Sequence, residues 1–279
     1  MLKLIGRSVE KKRMEVLIRA GRHLLLEGSV GTGKTTLALE VSRSLGCPVF
    51  RVDGDGRYTE QKLVGSFDPK LVLERGFVRE SFLPGPLFQA MEEGGILLMN
   101  ELNRMPEMVQ NVLLPALDEG LLQIPVLGAI RARPGFAVIA TQNPREFVGT
   151  SALSEALLDR LEWVGLAPMS EEEEQLIVSE HLGSSVSLGL VPECVALVRM
   201  TRSHARVKRG ASVRASITLA RIVASTGIRS SDDPEFIAAA KSVLANRIEL
   251  QSGKFSSLPY SELLDELLQE LLEALKKKS

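Results

Sequence analysis

The sequence predicts an α/β fold: a parallel five-stranded sheet covered by helices on both faces, followed by a small all-α domain. Up to residue 168, short apolar runs alternate with segments of helical periodicity, as expected for buried parallel strands and their crossover helices. A glycine-rich turn lies between the first run and the next helix. From Pro168 onward the pattern is only helical. With 279 residues, the chain is long enough for one large domain and a small companion.

Five apolar runs are predicted to form the sheet. Each is short, and each is bounded by a helical or turn-rich segment. The runs lie at 23–27, 49–52, 94–101, 136–141 and 162–165. Because so many apolar strands alternate with helices, we expect a parallel sheet that is covered on both faces.

Helices and hairpins are predicted between these runs. Helical periodicity covers 8–20, 106–117 and 154–160, in addition to the segment after the glycine-rich turn. The stretch 53–86 is predicted to be a short helix with an inserted hairpin, because a structureless loop of that length is unusual in a compact domain. A second hairpin is predicted over 121–132.

Capping signals locate helices in the C-terminal part. Ser170 and Glu173 have the spacing of a capping box, and Pro192 and Pro234 fit first helical turns. Another helix is predicted over 210–223.

The last predicted helix, 261–277, has paired leucines on one face, acidic residues early and three lysines late, which matches the helix dipole. Such a leucine stripe packs on its own domain more often than on a partner. We therefore predict three parts: an α/β domain with inserted hairpins over 1–168, a helical domain over 169–250, and a C-terminal amphipathic helix over 251–279.

Composition argues against several classes of protein. The net charge of −1 gives no reason to expect a sequence-wide basic surface, so we expect no nucleic-acid partner. Two distant cysteines and three scattered histidines lack disulfide-framework or metal-ligand spacing. No apolar run of about 18 residues occurs. We expect a soluble, cytoplasmic protein with no membrane partner.

The glycine-rich turn has the P-loop spacing Gly28-x-x-x-x-Gly33-Lys34-Thr35, with a strand before it and a helix after it. Such a loop points several backbone N–H groups at one anion, and the helix start adds its positive dipole end. Lys34 is predicted to reach the β- and γ-phosphates of ATP, and the Thr35 hydroxyl to bind Mg²⁺. The alternative is a flexible glycine-threonine loop. The predicted nucleotide-binding residues are Gly28, Ser29, Val30, Gly31, Thr32, Gly33, Lys34, Thr35 and Thr36.

The third apolar run ends in Asn100 and Glu101. In P-loop proteins this strand end usually carries an aspartate that holds the Mg²⁺ shell, followed in many ATPases by a glutamate that takes a proton from the attacking water. Glu101 is therefore predicted to be catalytic, and Asn100 is predicted to share the metal site with Thr35. Because Asn100 keeps an acceptor oxygen but lacks the negative charge, we expect metal affinity to be weakened.

The fourth run is followed by Gln142, Asn143 and Pro144. A polar residue at the tip of a strand beside the P-loop is placed to polarise water or to contact the γ-phosphate, so Asn143 is a predicted catalytic residue. The alternative is that Asn143 only forms a turn with the proline.

Several short motifs, taken in order with the P-loop, resemble the AAA+ ATPases. The motifs lie at 84–87, 100–104, 140–144, 149–150 with 153–160, and 210–214. More narrowly, the chain resembles the MoxR branch, with the related nitric-oxide-reductase and Rubisco activation ATPases and the magnesium chelatase motor subunit. The resemblance covers roughly residues 20–250.

The resemblance implies roles for three further residues. Asn143 would be sensor 1, Arg160 the arginine finger offered to the nucleotide of a neighbouring subunit, and Arg214 sensor 2 from a helical lid domain. A guanidinium from another subunit stabilises the charge that spreads over the γ-phosphate oxygens only when the ring is assembled. The alternatives are that Arg160 is a helix-end charge and Arg214 an ion-paired helix residue. Val213 departs from the family, which often has proline there.

The resemblance also implies partners and cofactors. The family forms homo-oligomeric, hexameric rings that use ATP and Mg²⁺, and its inserted hairpins remodel a client protein, often together with a von Willebrand factor A partner. The segment 53–86 and the hairpin after Leu117 would be those inserts.

Two functional hypotheses follow. The first is a Mg²⁺-ATP-dependent chaperone of the MoxR type. The second is an ATP-binding switch or scaffold with negligible hydrolysis, because Asn100 replaces the expected aspartate. A DNA-loading motor fits poorly, because the charge is neutral and nothing after Arg214 resembles a helix-turn-helix sequence.

Overall fold

The computed structural model describes residues 4–143, 152–183, 189–251 and 259–277. The chain divides into two compact units, one of residues 7–168 and one of residues 169–279 together with 1–6. Of the sequence motifs, Pro144 and the pair Gly149-Thr150 lie outside the described residues.

Strands and helices alternate along the first unit. In its described part the strands are β1 (His23–Gly28), β2 (Val49–Asp53), β3 (Gly65–Phe67), β4 (Phe82–Pro84), β5 (Ile96–Asn100), β6 (Leu121–Ile124), β7 (Gly128–Arg131), β8 (Ala137–Gln142) and β9 (Leu161–Leu166). The α-helices there are α1 (Ser8–Arg19), α2 (Lys34–Ser44), α3 (Glu60–Val64), α4 (Pro69–Arg75), α5 (Pro86–Glu93), α6 (Glu107–Asn111), α7 (Leu113–Asp118) and α8 (Glu155–Leu158).

Five of these strands form one parallel sheet in the order β2-β5-β8-β1-β9. Its central strands are buried along their length, with Leu25, Leu97 and Val138 in the core of the unit. Strands covered by helices on both faces need such apolar runs, and each fully buried leucine contributes about 2 kcal/mol. The predicted five-stranded parallel sheet is confirmed.

The carboxyl ends of these strands meet at one edge of the sheet. Asp53 at the end of β2 is the register partner of Asn100 at the end of β5. Glu27, near the end of β1, is the register partner of Gln142 at the end of β8. Because all five strands run in the same direction, the polar residues that end separate apolar runs become neighbours.

Two inserts extend the first unit. The segment 53–86 contains α3 and the antiparallel pair β3–β4, with α4 between the two strands, and β6 and β7 form a hairpin. The helix predicted over 106–117 is instead divided into α6 and α7 at Val112. Pro115 explains the break, because it has no N–H to donate to the carbonyl of Asn111.

The second unit is mainly helical. Its described elements are α9 (Glu171–Leu182), α10 (Val191–Met200), β10 (Val207–Arg209), α11 (Val213–Thr226), α12 (Pro234–Leu244), β11 (Glu249–Leu250) and α13 (Tyr260–Lys276). The predicted capping box is present: the Glu173 N–H donates to Ser170 Oγ at 3.1 Å, and the Ser170 N–H donates to Glu173 Oε2 at 2.9 Å. The antiparallel pair β10–β11 is an addition to the predicted helices, since strands this short show no alternation in the sequence.

The leucine stripe of α13 lies inside the second unit. Its buried members pack in one hydrophobic cluster with residues of α10, α11 and α12. These leucines are Leu264, Leu267, Leu268, Leu271, Leu272 and Leu275. The stripe thus packs on its own unit, as expected. No helix in the described ranges combines the length and the apolar content needed to cross a bilayer.

A buried histidine at the start of β1 makes the stability of the first unit depend on pH. His23 Nδ1 accepts a hydrogen bond from the Val138 N–H at 3.0 Å, and the ring packs against Phe136. Burial, which penalises the charged imidazolium, lowers the pKa of His23 from its ordinary 6.5 to about 4. The imidazole is therefore neutral in the folded protein at pH 7.

We expect the first unit to lose stability as pH falls from 6.5 to 4, because His23 is protonated in the unfolded chain over this range but stays neutral in the folded protein. The full loss is on the order of 3 kcal/mol. Urea unfolding followed by the fluorescence of Trp163, the single tryptophan, measures it. His23→Gln should flatten this dependence, whereas His181→Gln, in the other unit, should leave it in place. An unchanged slope in His23→Gln would contradict the assignment.

Candidate functional site

The P-loop connects β1 to α2 and forms a concave backbone. Gly31 and Gly33 have φ angles of 84° and 85°, a conformation that favours glycine. Gly28 packs closely, since a Cβ there would lie 2.8 Å from the Leu166 carbonyl oxygen. The Thr32 hydroxyl donates to the Ser29 carbonyl at 2.9 Å, which closes the turn. The loop thus leads directly into the N-terminus of α2, where backbone N–H groups can bind an anion.

Lys34 lies over this loop. Its ammonium donates to the carbonyl oxygens of Gly28 at 2.6 Å and of Ser29 at 3.0 Å. These contacts place a positive charge beside the N-terminus of α2. The arrangement is suited to phosphate, because the point charge of the lysine adds to the helix dipole.

Thr35 connects the P-loop to the end of β5. Its hydroxyl donates to Asn100 Oδ1 at 2.9 Å. The amide of Asn100 then presents its nitrogen to the neighbouring strand, where Nδ2 donates to Asp53 Oδ1 at 2.7 Å. Because an ionised carboxylate only accepts hydrogen bonds, this contact fixes which way the amide faces. Thr35, Asn100 and Asp53 thus form a continuous hydrogen-bonded chain.

Asp53 is ionised at neutral pH. Burial opposes its ionisation, but hydrogen bonds from Arg51 and Asn100 and the charge of Arg51 outweigh that effect, so the pKa of the Asp53 carboxyl lies below its ordinary value. Arg51 donates to Asp53 Oδ1 at 2.9 and 3.1 Å. The end of β2 therefore presents an ionised carboxylate, paired with Arg51, to the Asn100 amide.

Glu101 follows β5 in a left-handed conformation, with φ of 53°. Its backbone N–H donates to the Thr141 hydroxyl of β8 at 3.0 Å, and its carboxylate accepts from Arg104 Nη1 at 2.7 Å. The neighbouring strand end approaches closely, since a Cβ on Gly54 would lie 2.1 Å from the Glu101 carbonyl oxygen. The Glu101 side chain is 43% exposed.

Asn143 follows β8, the strand between β5 and β1, and is buried. It lies at the same sheet edge as the P-loop and Glu101. Beside it, Gln142 Nε2 donates to Glu27 Oε2 at 2.7 Å. The sheet order thus brings the predicted Asn143 to the same edge as Thr35, Asn100 and Glu101.

Arg160 lies at the opposite end of the strands. It precedes β9, whose first residue, Leu161, is the register partner of His23 at the start of β1. The P-loop begins five residues later, at Gly28, so roughly 16 Å of strand separates the two positions. Arg160 donates to Asp118 Oδ2 and to the Ala156 carbonyl oxygen, both at 2.7 Å. The hydrogen bond with Asp118 also raises the pKa of Arg160.

Arg214 belongs to the second unit. It is exposed in the first turn of α11. The suggested sensor role of this residue stays a prediction.

The residues at the sheet edge fit a magnesium ion bound together with a nucleotide. The hydroxyl of Thr35 and Oδ1 of Asn100 are hard oxygen atoms, the type that Mg²⁺ prefers. Within the described ranges there is no group of three or more His, Cys, Asp or Glu side chains that could hold a metal. A magnesium ion here would therefore take its other ligands from phosphate and water, as is usual for this ion.

Asp53 and Thr141 are site residues that sequence reasoning missed. Asp53 ends an apolar run just as Asn100 does, and this shared position could have indicated that both lie at the same edge of the sheet. Using it required knowing that β2 lies beside β5, which the sequence order of the strands does not reveal. Thr141 lies within a predicted apolar strand, which gives no sign of a role in the site. Its hydroxyl contact with the Glu101 N–H depends on β8 lying beside β5.

Several known proteins have sequences similar to this chain. The family described as "AAA domain (dynein-related subfamily)" matches residues 23–161. Gas vesicle ATPase GvpN2 from Halobacterium salinarum is 30% identical over 277 residues, covering 93% of this chain and 76% of that protein. Gas vesicle ATPase GvpN from Ancylobacter aquaticus is 30% identical over 248 residues, covering 83% and 69%.

A solved structure supports the fold. NtrX from Brucella abortus matches with a TM-score of 0.58 and 18% identity, covering 98% of this chain and 61% of that one. The identity is low, so this match concerns the fold alone. The sequence matches carry the assignment further: this chain belongs to the AAA+ ATPases, in the MoxR branch that also contains the gas vesicle ATPases.

Proposed function

We propose that this protein is a Mg²⁺-ATP-dependent chaperone that acts in the cytoplasm as a homo-oligomeric ring, a hexamer, to remodel or mature a client protein or metalloenzyme. One observation carries the ATP-dependent part: the P-loop, the Thr35–Asn100 pair and Glu101 share one edge of the sheet. Groups suited to binding phosphate, holding a metal and activating water are therefore adjacent.

In this proposal the P-loop binds the triphosphate through its backbone N–H groups. Lys34 exchanges its contacts with the Gly28 and Ser29 carbonyls for phosphate oxygens, which accept from a lysine more strongly because they are charged. Thr35 and Asn100 hold the metal site, and Mg²⁺ bound there would neutralise charge on the phosphates.

Glu101 takes a proton from the attacking water. Its carboxylate is exposed at the sheet edge, and the Thr141 hydroxyl fixes its backbone. Asn143, at the tip of the next strand, orients the water or contacts the γ-phosphate. Both residues follow neighbouring strands, which makes their spacing rigid.

The position of Arg160 supports the proposed ring. This residue lies at the amino end of β9, away from the P-loop of its own chain. An arginine finger at this position would have to serve the nucleotide of a neighbouring subunit, so hydrolysis would require assembly. Arg214 acts as sensor 2 in the same proposal, which rests on the resemblance of its sequence motif.

The proposed client surface lies on the two inserts. Large apolar side chains are exposed there: Leu73 is 90% exposed and Phe77 57% in the 53–86 insert, and Val126 is 70% exposed at the tip of the β6–β7 hairpin. We propose that these side chains contribute to a contiguous apolar patch, the kind of surface that binds other proteins. A von Willebrand factor A protein is the proposed partner, and this part of the proposal rests on the resemblance of the sequence motifs to the family.

A second candidate is an ATP-binding switch or scaffold with negligible hydrolysis. Two observations favour it: Asn100 has no charge at the metal site, and the Glu101 carboxylate is paired with Arg104 at 2.7 Å. In this candidate, the presence of ATP alone would determine how neighbouring copies associate.

Turnover of ATP by the purified protein separates the two candidates. The chaperone proposal predicts measurable phosphate release by wild type at millimolar Mg²⁺. The rate should fall by about 100-fold or more in Glu101→Gln, because the amide cannot accept a proton from water. Glu107→Gln, an exposed glutamate at the start of α6, is the matched control and should keep the wild-type rate. If wild type is inactive and Asn100→Asp gains turnover, the switch is the correct function.

Mixing two inactive variants tests whether Arg160 acts on a neighbouring subunit. Glu101→Gln and Arg160→Ala should each be inactive alone, whereas a mixture contains interfaces that combine an intact Glu101 with an intact arginine. Random mixing in equal amounts should restore about a quarter of wild-type turnover, because one interface in four is then complete. A mixture as inactive as its components would show that Arg160 serves only its contacts with Asp118 and Ala156.

A further inference from the structure

The Thr35–Asn100–Asp53 chain contains a carboxylate that the proposed function does not use. Asn100 stands where related sites have an aspartate, and its side chain is buried, at 7% exposed. Its amide bridges two groups: Oδ1 accepts from the Thr35 hydroxyl at 2.9 Å, and Nδ2 donates to Asp53 Oδ1 at 2.7 Å. The Asp53 carboxylate thus lies on the neighbouring strand, and the Asn100 amide stands between it and the metal position.

We infer that Asp53 is a positioning residue that supplies, through the Asn100 amide, the negative charge which the end of β5 lacks. The inference rests on the proposed function, because it concerns the same metal site. A carboxylate that accepts from Nδ2 polarises the amide and increases the negative charge on Oδ1, the atom that faces Thr35. It also keeps Oδ1 turned toward the metal position.

The backbone fixes this arrangement. Asp53 and Asn100 are register partners in β2 and β5, and the Gly54 N–H donates to the Asn100 carbonyl at 2.7 Å. No side chain fits at Gly54, since its Cβ would lie 2.1 Å from the Glu101 carbonyl oxygen. The end of β2 is therefore packed directly against the strand end that carries the metal and water-activating residues.

The competing explanation is that Asp53 only pairs with Arg51. That pair is largely exposed, with 52% of the Arg51 side chain and 64% of the Asp53 side chain accessible, and exposed pairs contribute little. In this explanation the Asn100 contact is incidental. Removing the carboxylate charge would then leave the metal dependence of nucleotide binding unchanged.

Exchanging the two side chains tests the inference. Asp53→Asn keeps an oxygen that can accept from Nδ2 but removes the charge, and the double variant Asp53→Asn with Asn100→Asp places the charge on β5 instead. Calorimetric titration of the slowly hydrolysed analogue ATPγS, with EDTA and with 0.1–10 mM Mg²⁺, gives for each variant the factor by which Mg²⁺ raises affinity. The unfolding temperature of each variant is recorded in parallel.

We expect Asp53→Asn to lower this magnesium factor by about 10-fold while the affinity in EDTA changes by less than about 2-fold. The double variant should recover the factor to within about 3-fold of wild type. Asp55→Asn, on the same segment with its carboxylate bonded to the Arg57 N–H, is the matched control and should keep the wild-type factor.

Two results would overturn the inference while leaving the ATPase proposal intact: a wild-type magnesium factor in Asp53→Asn, or a loss in Asp53→Asn that the double variant does not recover. The first would leave only the pair with Arg51. The second would show that the charge of Asp53 acts in its own place and does not substitute for a charge at the end of β5. Failure of wild type to bind ATPγS with or without Mg²⁺ would instead overturn the proposed function, and this inference with it.

Discussion

The common direction of the five strands is the constraint on which the rest of the first unit depends. Buried parallel strands must be apolar along their length, so polar side chains are confined to the strand ends. Because every strand ends at the same edge, residues far apart in the chain meet there: Thr35 with Asn100, Asn100 with Asp53, and Glu101 with Thr141. The packing of parallel strands thus brings the site residues together, and their chemistry depends on that arrangement.

Charge is distributed unevenly around this edge. The P-loop side carries the positive end of α2 and the ammonium of Lys34, whereas the β2 side carries the Asp53 carboxylate, which is paired with Arg51. A triphosphate and a divalent cation need these opposite environments within a few ångströms. Arg160 lies at the other end of the strands, where the same parallel direction separates it from its own P-loop.

Much of the fold could be predicted from the sequence, because its signals are local. The apolar runs, the P-loop glycines, the Ser170 capping box and the α13 leucine stripe depend on neighbours within a few residues. The break at Val112 depends on Pro115 and was a missed local signal. The pairing of Asp53 with Asn100 could not be predicted, because it depends on which strands lie side by side. The contact of Arg160 with Asp118 likewise joins residues 42 positions apart.

The central claim is that the P-loop binds a magnesium-nucleotide complex. Calorimetric titration of ATP and of ADP into wild type and Lys34→Ala, at millimolar Mg²⁺ and with oligomer size followed by light scattering, tests it most directly. We expect wild type to bind ATP, and Lys34→Ala to bind it at least about 10-fold more weakly and to assemble differently, because the lysine charge on the phosphates is lost. Absence of ATP and ADP binding by wild type, with assembly unchanged in Lys34→Ala, would contradict the account.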